Sequence, residues 1–358
     1  MSNNKISSAD YTDMTNQVTV YESNAGATTT ETEFMSEWSR WYGVYLDVPF
    51  YAALVDKKAM WTVGKGFKAK PAVKKVLDAI RGNGKQTING LMLNMVKVYT
   101  IGGDYFAEII VDASGKLINL KALNPSTVKI KANAAGMITG YEQWNSQKKL
   151  HRWNPEQIFH LAWNSIADQI HGNGNAQKLE WNTAAYKEAK KDMRIVFHRY
   201  VKPLIISHVD TDNEDEIAAY KAKLDRAVEL GENLVIPYDT LKSMDKMSIP
   251  QFSSLDPLPW MSALERDFII AEGVPAVIAG SGEANDTEAE AKMLYLAYEQ
   301  VIEVNQMFLE ENFKAQLGLE IELEFPASLE PAMQKDQGKA RSMNNMEAGI
   351  GEGSGGKK

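Results

Sequence analysis

The chain has 358 residues, 44% hydrophobic and 24% charged, the balance of an ordinary soluble globular protein with room for two or three domains. No window approaches the roughly 18 uncharged apolar residues of a membrane span, and no basic segment precedes an apolar core at the amino terminus, so synthesis in a cytoplasm without a membrane anchor is expected. The absence of cysteine excludes disulfides, thiolate zinc sites and thiol nucleophiles, and a net charge of −8 argues against a protein that grips duplex nucleic acid through clustered Lys and Arg.

Residues 1–33 are rich in Asn, Ser and Thr and close on Ala27-Thr28-Thr29-Thr30-Glu31-Thr32-Glu33, too polar to offset the entropy of ordering; they read as a flexible arm. The first packed stretch carries Trp38, Trp41, Tyr42, Tyr45, Phe50, Tyr51 and Trp61, an aromatic density typical of a core. Pro71 opens a short helix whose apolar residues Val73, Val76, Leu77 and Ile80 recur three and four apart before Gly82, and a second helix is predicted from about Thr87 to Thr100. From Gly102 the period falls to two, with Tyr105, Ala107, Ile109 and Val111 on one face and a turn at Asp112-Ala113-Ser114-Gly115. A second pair, Val128 to Lys131 and Met137 to Trp144, and a further strand from Lys149 to Trp153 complete a small antiparallel sheet between helices.

Gly172-Asn173-Gly174 opens a polar helix predicted from about Ala176 to Tyr200, which needs neighbours or other subunits to be stable. Leu204 to Val209 reads as a strand and Thr211 to Leu230 as a helix. Leu234 to Pro237 and Leu241 to Ile249 read as extended, making a β-α-β unit too small for a typical independent domain. Pro257 to Glu272 is a helix ending at Gly273-Val274-Pro275, and a Gly-rich loop spans Ala279 to Ala284. Thr287 and Glu290 have capping-box spacing ahead of the longest helix, which runs to Gly318, and Ile321 to Phe325 is a last strand. The end from Ala327 has linker composition. From Ser281 to Glu324 eleven acidic residues stand against Lys292 and Lys314, a net of −9, so the rest of the chain is nearly neutral at +1.

No catalytic constellation emerges, and no catalytic residue, metal ligand or cofactor is expected. Asp210-Thr211-Asp212-Asn213-Glu214 resembles the start of a calcium loop, but Asp215 replaces the required Gly and Lys221 the bidentate Glu; an acidic helix start explains the run. Lys65, Lys68, Lys70, Lys74 and Lys75 flank Gly64 and Gly66 without the P-loop order, and read as a solvated basic face. His160, His171, His198 and His208 lack metal-site spacing and read as structural or surface residues. Gly280-Ser281-Gly282 is not a full nucleophile elbow.

The ordered series of motifs resembles the portal proteins of tailed bacteriophages and viruses. The likeness rests on Gly102-Gly103-Asp104-Tyr105-Phe106-Ala107-Glu108-Ile109-Ile110, Gly115-Lys116-Leu117, Leu123-Asn124-Pro125 and Glu156-Gln157-Ile158-Phe159-His160. It continues in a Gly turn before a long helix and in Glu272-Gly273-Val274-Pro275 with Ile278-Ala279-Gly280. The departures are His171-Gly172-Asn173-Gly174 in place of Tyr-Gly-x-Ser, Ala276 in place of a second Pro, and a short polar stretch after Phe325.

The resemblance implies an α+β portal-like fold that forms a ring, usually a dodecamer, at one capsid vertex. Residues 1–33 would be a flexible amino-terminal arm, 34–171 with 287–326 the wing, 172–202 with 257–278 the stem, 203–256 the clip, 279–286 the tunnel loop, and 327–358 a flexible tail. The tunnel loop (Gly280, Ser281, Gly282, Glu283, Ala284, Asn285, Asp286) would reach the DNA channel, with Glu288 and Glu290 as further acidic channel residues. Carboxylates there would repel phosphates and let duplex DNA slide without sequence specificity, whereas lysines would hold it. The implied partners are further copies of the chain, the major capsid protein, the terminase large subunit and a head-tail adaptor. The implied location is the portal vertex of a virion after synthesis in the host cytoplasm, and the implied role is structural, in DNA packaging and ejection. The alternatives are a head-tail adaptor ring, a monomeric binding module, and a metal-dependent nuclease built on Asp210, Asp212 and Glu214.

Overall fold

The computed structural model describes residues 32–35, 37–133, 136–145, 148–201, 204–209, 212–230, 241–247, 258–280 and 288–326. It is a mixed α+β chain that divides into two compact units, residues 1–181 with 266–358, and residues 182–265.

In the first unit, strand β1 (Thr32–Met35) precedes helices α1 (Trp38–Asp47) and α2 (Pro49–Val63), short strand β2 (Phe67–Lys68), and helices α3 (Pro71–Ala79) and α4 (Ile88–Gly102). Local chemistry sets several boundaries. Pro49 and Pro71 occupy first helical turns, where a missing N–H costs nothing, and the Thr87 hydroxyl accepts the Gly90 N–H at 3.2 Å to cap α4. The helices share a core of Val48, Tyr51, Leu54, Val55, Leu91, Met95 and Tyr99, all essentially without solvent access. Of the aromatic cluster, Trp38, Trp41 and Tyr51 are buried, whereas Tyr42 is exposed and stacks between Trp38 and Tyr45.

Strands β3 (Asp104–Val111), β4 (Leu117–Leu123), β5 (Val128–Ala132), β6 (Ile138–Asn145), β7 (Lys148–Trp153) and β8 (Ile158–Ala162) follow. The expected turn forms because Asp112 Oδ1 accepts the Ser114 and Lys116 N–H groups, each at 2.9 Å. The single small sheet expected is instead two antiparallel sheets, ordered β4-β3-β8 and β1-β5-β6-β7. They meet through Phe106, Leu123 and Ile158 of one and Val128, Ile130, Tyr141 and Trp153 of the other. This explains a departure from the expected alternation. Tyr105, Phe106 and Ala107 are all buried, because β3 is a central strand with the second sheet on one face and the helices on the other. The boundary of the arm also moves: Thr32 and Glu33 pair with Ala132 and Lys131, completing the ladder on an edge of β5 that would otherwise be open.

The predicted polar helix is broken into α5 (Asn175–Lys178) and α6 (Glu180–Val201), with the buried Leu179 between them. Strand β9 (Leu204–Val209), helix α7 (Glu214–Leu230), strand β10 (Leu241–Met247) and helix α8 (Leu258–Glu272) follow. In the second unit β9 and β10 pair antiparallel around α7, so the β-α-β succession is not a parallel crossover. There α6 and α8 are tied by Asn182 Nδ2 donating to Leu264 O at 2.9 Å and Tyr186 Oη to Glu265 Oε1 at 2.8 Å. The expected strand from Leu234 to Pro237 lies outside the described residues.

Helices α9 (Ala276–Ala279) and α10 (Glu288–Leu317) and strand β11 (Glu322–Leu323) complete the first unit. Thirty residues long, α10 returns to the core built 150 residues or more earlier in the chain. Asn305 Oδ1 accepts from the Tyr99 hydroxyl at 3.2 Å, Gln306 Nε2 donates to Thr62 O at 2.9 Å, and Phe313 meets Phe159 edge to face. The last strand is shorter than expected and pairs only Glu322 and Leu323, with Lys68 and Phe67.

Candidate functional site

Of the residues expected to line a channel, Gly280 is described at the end of α9, and Ser281, Gly282, Glu283, Ala284, Asn285 and Asp286 lie outside the described residues. Glu288 and Glu290 belong to the first turn of α10. What the structure places is the root from which that loop leaves.

The root begins where α8 stops. Gly273 takes a left-handed conformation (φ +66°) and its N–H returns to Ile269 O at 2.9 Å. Pro275, with no N–H to satisfy, then stands at the start of α9, and Gly280 (φ +79°) closes it by donating to Ala276 O at 2.9 Å. Two consecutive lysines of α2 grip the two ends of this turn. Lys58 Nζ lies 3.4 Å from Glu272 Oε2, with both side chains almost wholly buried (5% and 0% exposed). Asn175 Nδ2 donates to the same carboxylate oxygen at 3.0 Å. The neighbouring Lys57 donates to Ala279 O at 2.8 Å and also to Ile278 O. Burial, then the Glu272 carboxylate, raises the Tyr51 hydroxyl well above its ordinary pKa. It therefore stays protonated beside that anion.

A second polar cluster joins motifs 68 residues apart. Asp104, at the start of β3, receives hydrogen bonds from His160 Nε2 at 3.2 Å, from the Gly172 N–H at 2.8 Å, and from His171 Nδ1. Tyr141 Oη lies 3.1 Å from His160 Nδ1, and Gln316 brackets the His160 backbone, accepting its N–H at 2.9 Å and donating to its carbonyl at 2.6 Å. Burial alone would push the Asp104 carboxyl up, but the hydrogen bonds and charges of the two histidines outweigh it and hold the pKa at about 2. Gly103 makes the approach possible: its φ is +90°, and a Cβ there would stand 2.1 Å from Gly172 O. The reading of His160 and His171 as structural residues fits, and both imidazoles are committed to one carboxylate.

The acidic segment is partly committed within the chain. Glu320 pairs with Lys70 at 3.0 Å and Lys314 at 3.2 Å, Glu324 pairs with Lys68, and Glu310 Oε1 accepts the Leu323 N–H at 2.6 Å. The reading of the basic run around Gly64 and Gly66 as a solvated face fits, since all five lysines are exposed, and two of them, Lys68 and Lys70, also make surface ion pairs with carboxylates some 250 residues away. Asp212 and Glu214 are exposed at the start of α7, and Asp210 lies outside the described residues. Among the described residues no group of three or more His, Asp or Glu side chains is arranged to hold a metal ion, and no helix is long and apolar enough to cross a membrane.

Sequence reasoning missed Lys57 and Lys58 and saw Glu272 only as part of a motif. A signal existed. Lys58 falls on the buried face of α2 with Leu54, Val55, Ala59 and Thr62, and a charge on an apolar stripe requires a buried partner.

No family model matches the chain, and no curated protein matches it. Solved structures do. A chain in the virion of a native gene transfer agent particle aligns with a TM-score of 0.64 at 17% identity, covering 90% of this chain and 92% of that one. A chain from the neck of such a particle, of C12 symmetry, aligns at 0.65 and 17% identity, over 86% and 90%. An HK97-family phage portal protein from Corynebacterium diphtheriae aligns at 0.52 and 14% identity, over 82% and 95%. The fold is therefore that of a phage portal protein, in agreement with the resemblance read from the motifs.

Proposed function

We propose that this chain is a portal protein, a non-enzymatic structural component of a phage or gene-transfer-agent particle. In this reading twelve copies form a ring at one capsid vertex, through which duplex DNA is packaged and later ejected. The observation that carries it is near end-to-end correspondence: the matched portal chain is covered over 95% of its length and the C12 neck chain over 90%. A portal-sized chain with its elements in portal order is not accounted for by a smaller adaptor.

The finer assignments follow from the same reading. Residues 34–171 and 287–326 form the wing, 172–202 and 257–278 the stem, 203–256 the clip, and 279–286 the tunnel loop, with Glu283, Asp286, Glu288 and Glu290 facing the channel. Partners are the major capsid protein around the ring, the terminase large subunit during packaging, and a head-tail adaptor afterwards. The exposure of Trp181 (63%), Ile270 (68%) and Met293 (66%) in a single copy supports coverage by neighbours.

The test is the native mass and negative-stain image of the purified protein, alone and with capsid protein present during assembly. Twelve chains of 39.9 kDa give about 480 kDa and a ring with a central hole. A compact monomer near 40 kDa that forms no ring under either condition refutes the reading.

A further inference from the structure

We infer that two outward faces of the first unit, the basic face of the sheet β1-β5-β6-β7 and the exposed stripe of α10, meet each other between neighbouring copies of this chain. The inference rests on the portal reading and names the surfaces that such an assembly uses.

Charge sets the two faces apart. From Ala113 to Trp153 seven Lys and Arg stand against one acid, Glu142, a net of +6, whereas the segment that holds α10 carries −9. Four of the seven collect on one surface. Lys129, Lys131, Lys149 and Arg152 lie on the side of the sheet away from its core, where the Lys129 ammonium stands 4.2 Å over the Trp144 ring. Glu142 is buried beneath them and pairs with both Lys131 and Lys149, so among the described side chains of this face four cations meet one carboxylate.

Helix α10 is apolar on two opposite sides. Ile302, Leu309 and Phe313 are buried in the core, but Met293, Val304 and Met307 are half or more exposed, with Ala297 also exposed between them. Positions 293, 297, 300, 304 and 307 alternate four and three apart, the spacing of a helix seam, and the exposed Glu303 and Glu311 accompany it. A second apolar stripe on a helix calls for a second partner.

The layers of the unit put these faces at opposite ends. On β8, Ile158 points into the core between the two sheets, and the next residue, Phe159, points the other way and meets Phe313 of α10 with ring centroids 5.3 Å apart. On β5, Val128 and Ile130 fill the core between the sheets, which turns Lys129 and Lys131 outward. The stack therefore runs from the exposed stripe of α10 through the two sheets to the basic face. A head-to-tail contact needs two different, complementary faces on one chain, and this arrangement supplies one at each end. Two acidic stripes would repel each other. Nucleic acid would suit the basic face alone and leave the stripe on α10 bare, so a second copy is the occupant that covers both.

The chain has no cysteine, so introduced cysteines report the contact directly. Full-length Met307→Cys and Arg152→Cys are mixed under assembly conditions and treated with a short bismaleimide. The expected product is a covalent dimer from the mixture and none from either variant alone. Glu303→Lys with Glu311→Lys should lower the fraction sedimenting as rings about tenfold while leaving the unfolding midpoint of the monomer unchanged, and adding Lys129→Glu with Arg152→Glu should restore it to within about twofold. Wild-type rings without the mixed cross-link, rings indifferent to the reversals, or a four-site variant that does not recover overturn the pairing of these faces while the portal reading stands. A cross-link from Met307→Cys alone shows the stripe meeting itself, and reversals that spare rings but abolish co-sedimentation with the major capsid protein show another occupant; either overturns the inference. A wild type that stays monomeric with and without capsid protein overturns the portal reading, and this inference with it.

Discussion

Asp104 shows how a single carboxylate can organise distant sequence. It gathers His160, His171 and the Gly172 N–H, and all of these contacts favour its ionised form. Its folded pKa of about 2 lies below the ordinary 3.8, so its contribution to stability is fully present above about pH 4 and is lost as pH falls through 2. A shift of that size is worth about 2 kcal/mol. Asp104→Asn should therefore lower stability at pH 7 by about 3 kcal/mol, because the negative charge is lost and the Asn amide keeps one acceptor oxygen but turns an NH2 donor toward buried donors that need an acceptor. It should also flatten the acid limb of the unfolding midpoint between pH 4 and 2, which thermal melts across that range would read. The signal in the sequence was faint: Gly102-Gly103-Asp104 and His171-Gly172 were both visible as motifs, but not that they touch.

Between elements, the decisive pair is Lys58 of α2 with Glu272 of α8. A buried ion pair gains little over a well-packed apolar pair, yet removing one partner strands a charge in the core. Lys58→Met alone should cost about 3–5 kcal/mol, and Lys58→Met with Glu272→Gln should recover much of that loss. A double-mutant cycle by urea denaturation measures the difference, and additive single effects would show that the two groups do not interact. Helix positions were legible because their signals are local: Pro71, Thr87, Gly273 and the three-and-four apolar spacing act within a few residues. The break at Leu179 was not, because it follows from what α5 packs against. The split into two sheets was hidden for a similar reason. Alternation reports whether one face of a strand is covered, not which layer covers it.

For the whole molecule, charge carries the prediction. On the proposed reading the carboxylates that would meet DNA are Glu283, Asp286, Glu288 and Glu290, at the beginning of the acidic segment, whereas Glu310, Glu320 and Glu324 toward its end are engaged within the chain. Reversal to Glu283→Lys with Asp286→Lys should convert a sliding surface into a holding one. Assembled rings should then retain duplex DNA at low salt and release it steeply as salt rises, with a slope that grows with the number of lysines at the channel. Filter retention of linear DNA from 50 to about 300 mM salt tests this. Equal retention by wild type and variant would place those residues away from the channel.

Most of the longer helices, the β3-β4 and β5-β6-β7 strand pattern and the concentration of acid in one segment could be read before any fold was known, whereas β1, β2, β8 and α9 could not. Each legible feature depends on neighbours within a few residues or on simple counting. The motif order carried the fold class as well, and the structural likeness at 14–17% identity agrees with it. What could not be read was who meets whom: that Lys68 and Lys70 face Glu324 and Glu320, that Thr32 and Glu33 extend a sheet, and that Lys57 reaches the carbonyls of Ile278 and Ala279 across 221 and 222 residues. A lysine, a strand edge or a carboxylate has the same local signature whether it meets water or a partner. Only packing of the core brings such distant groups within hydrogen-bond distance and removes the water between them.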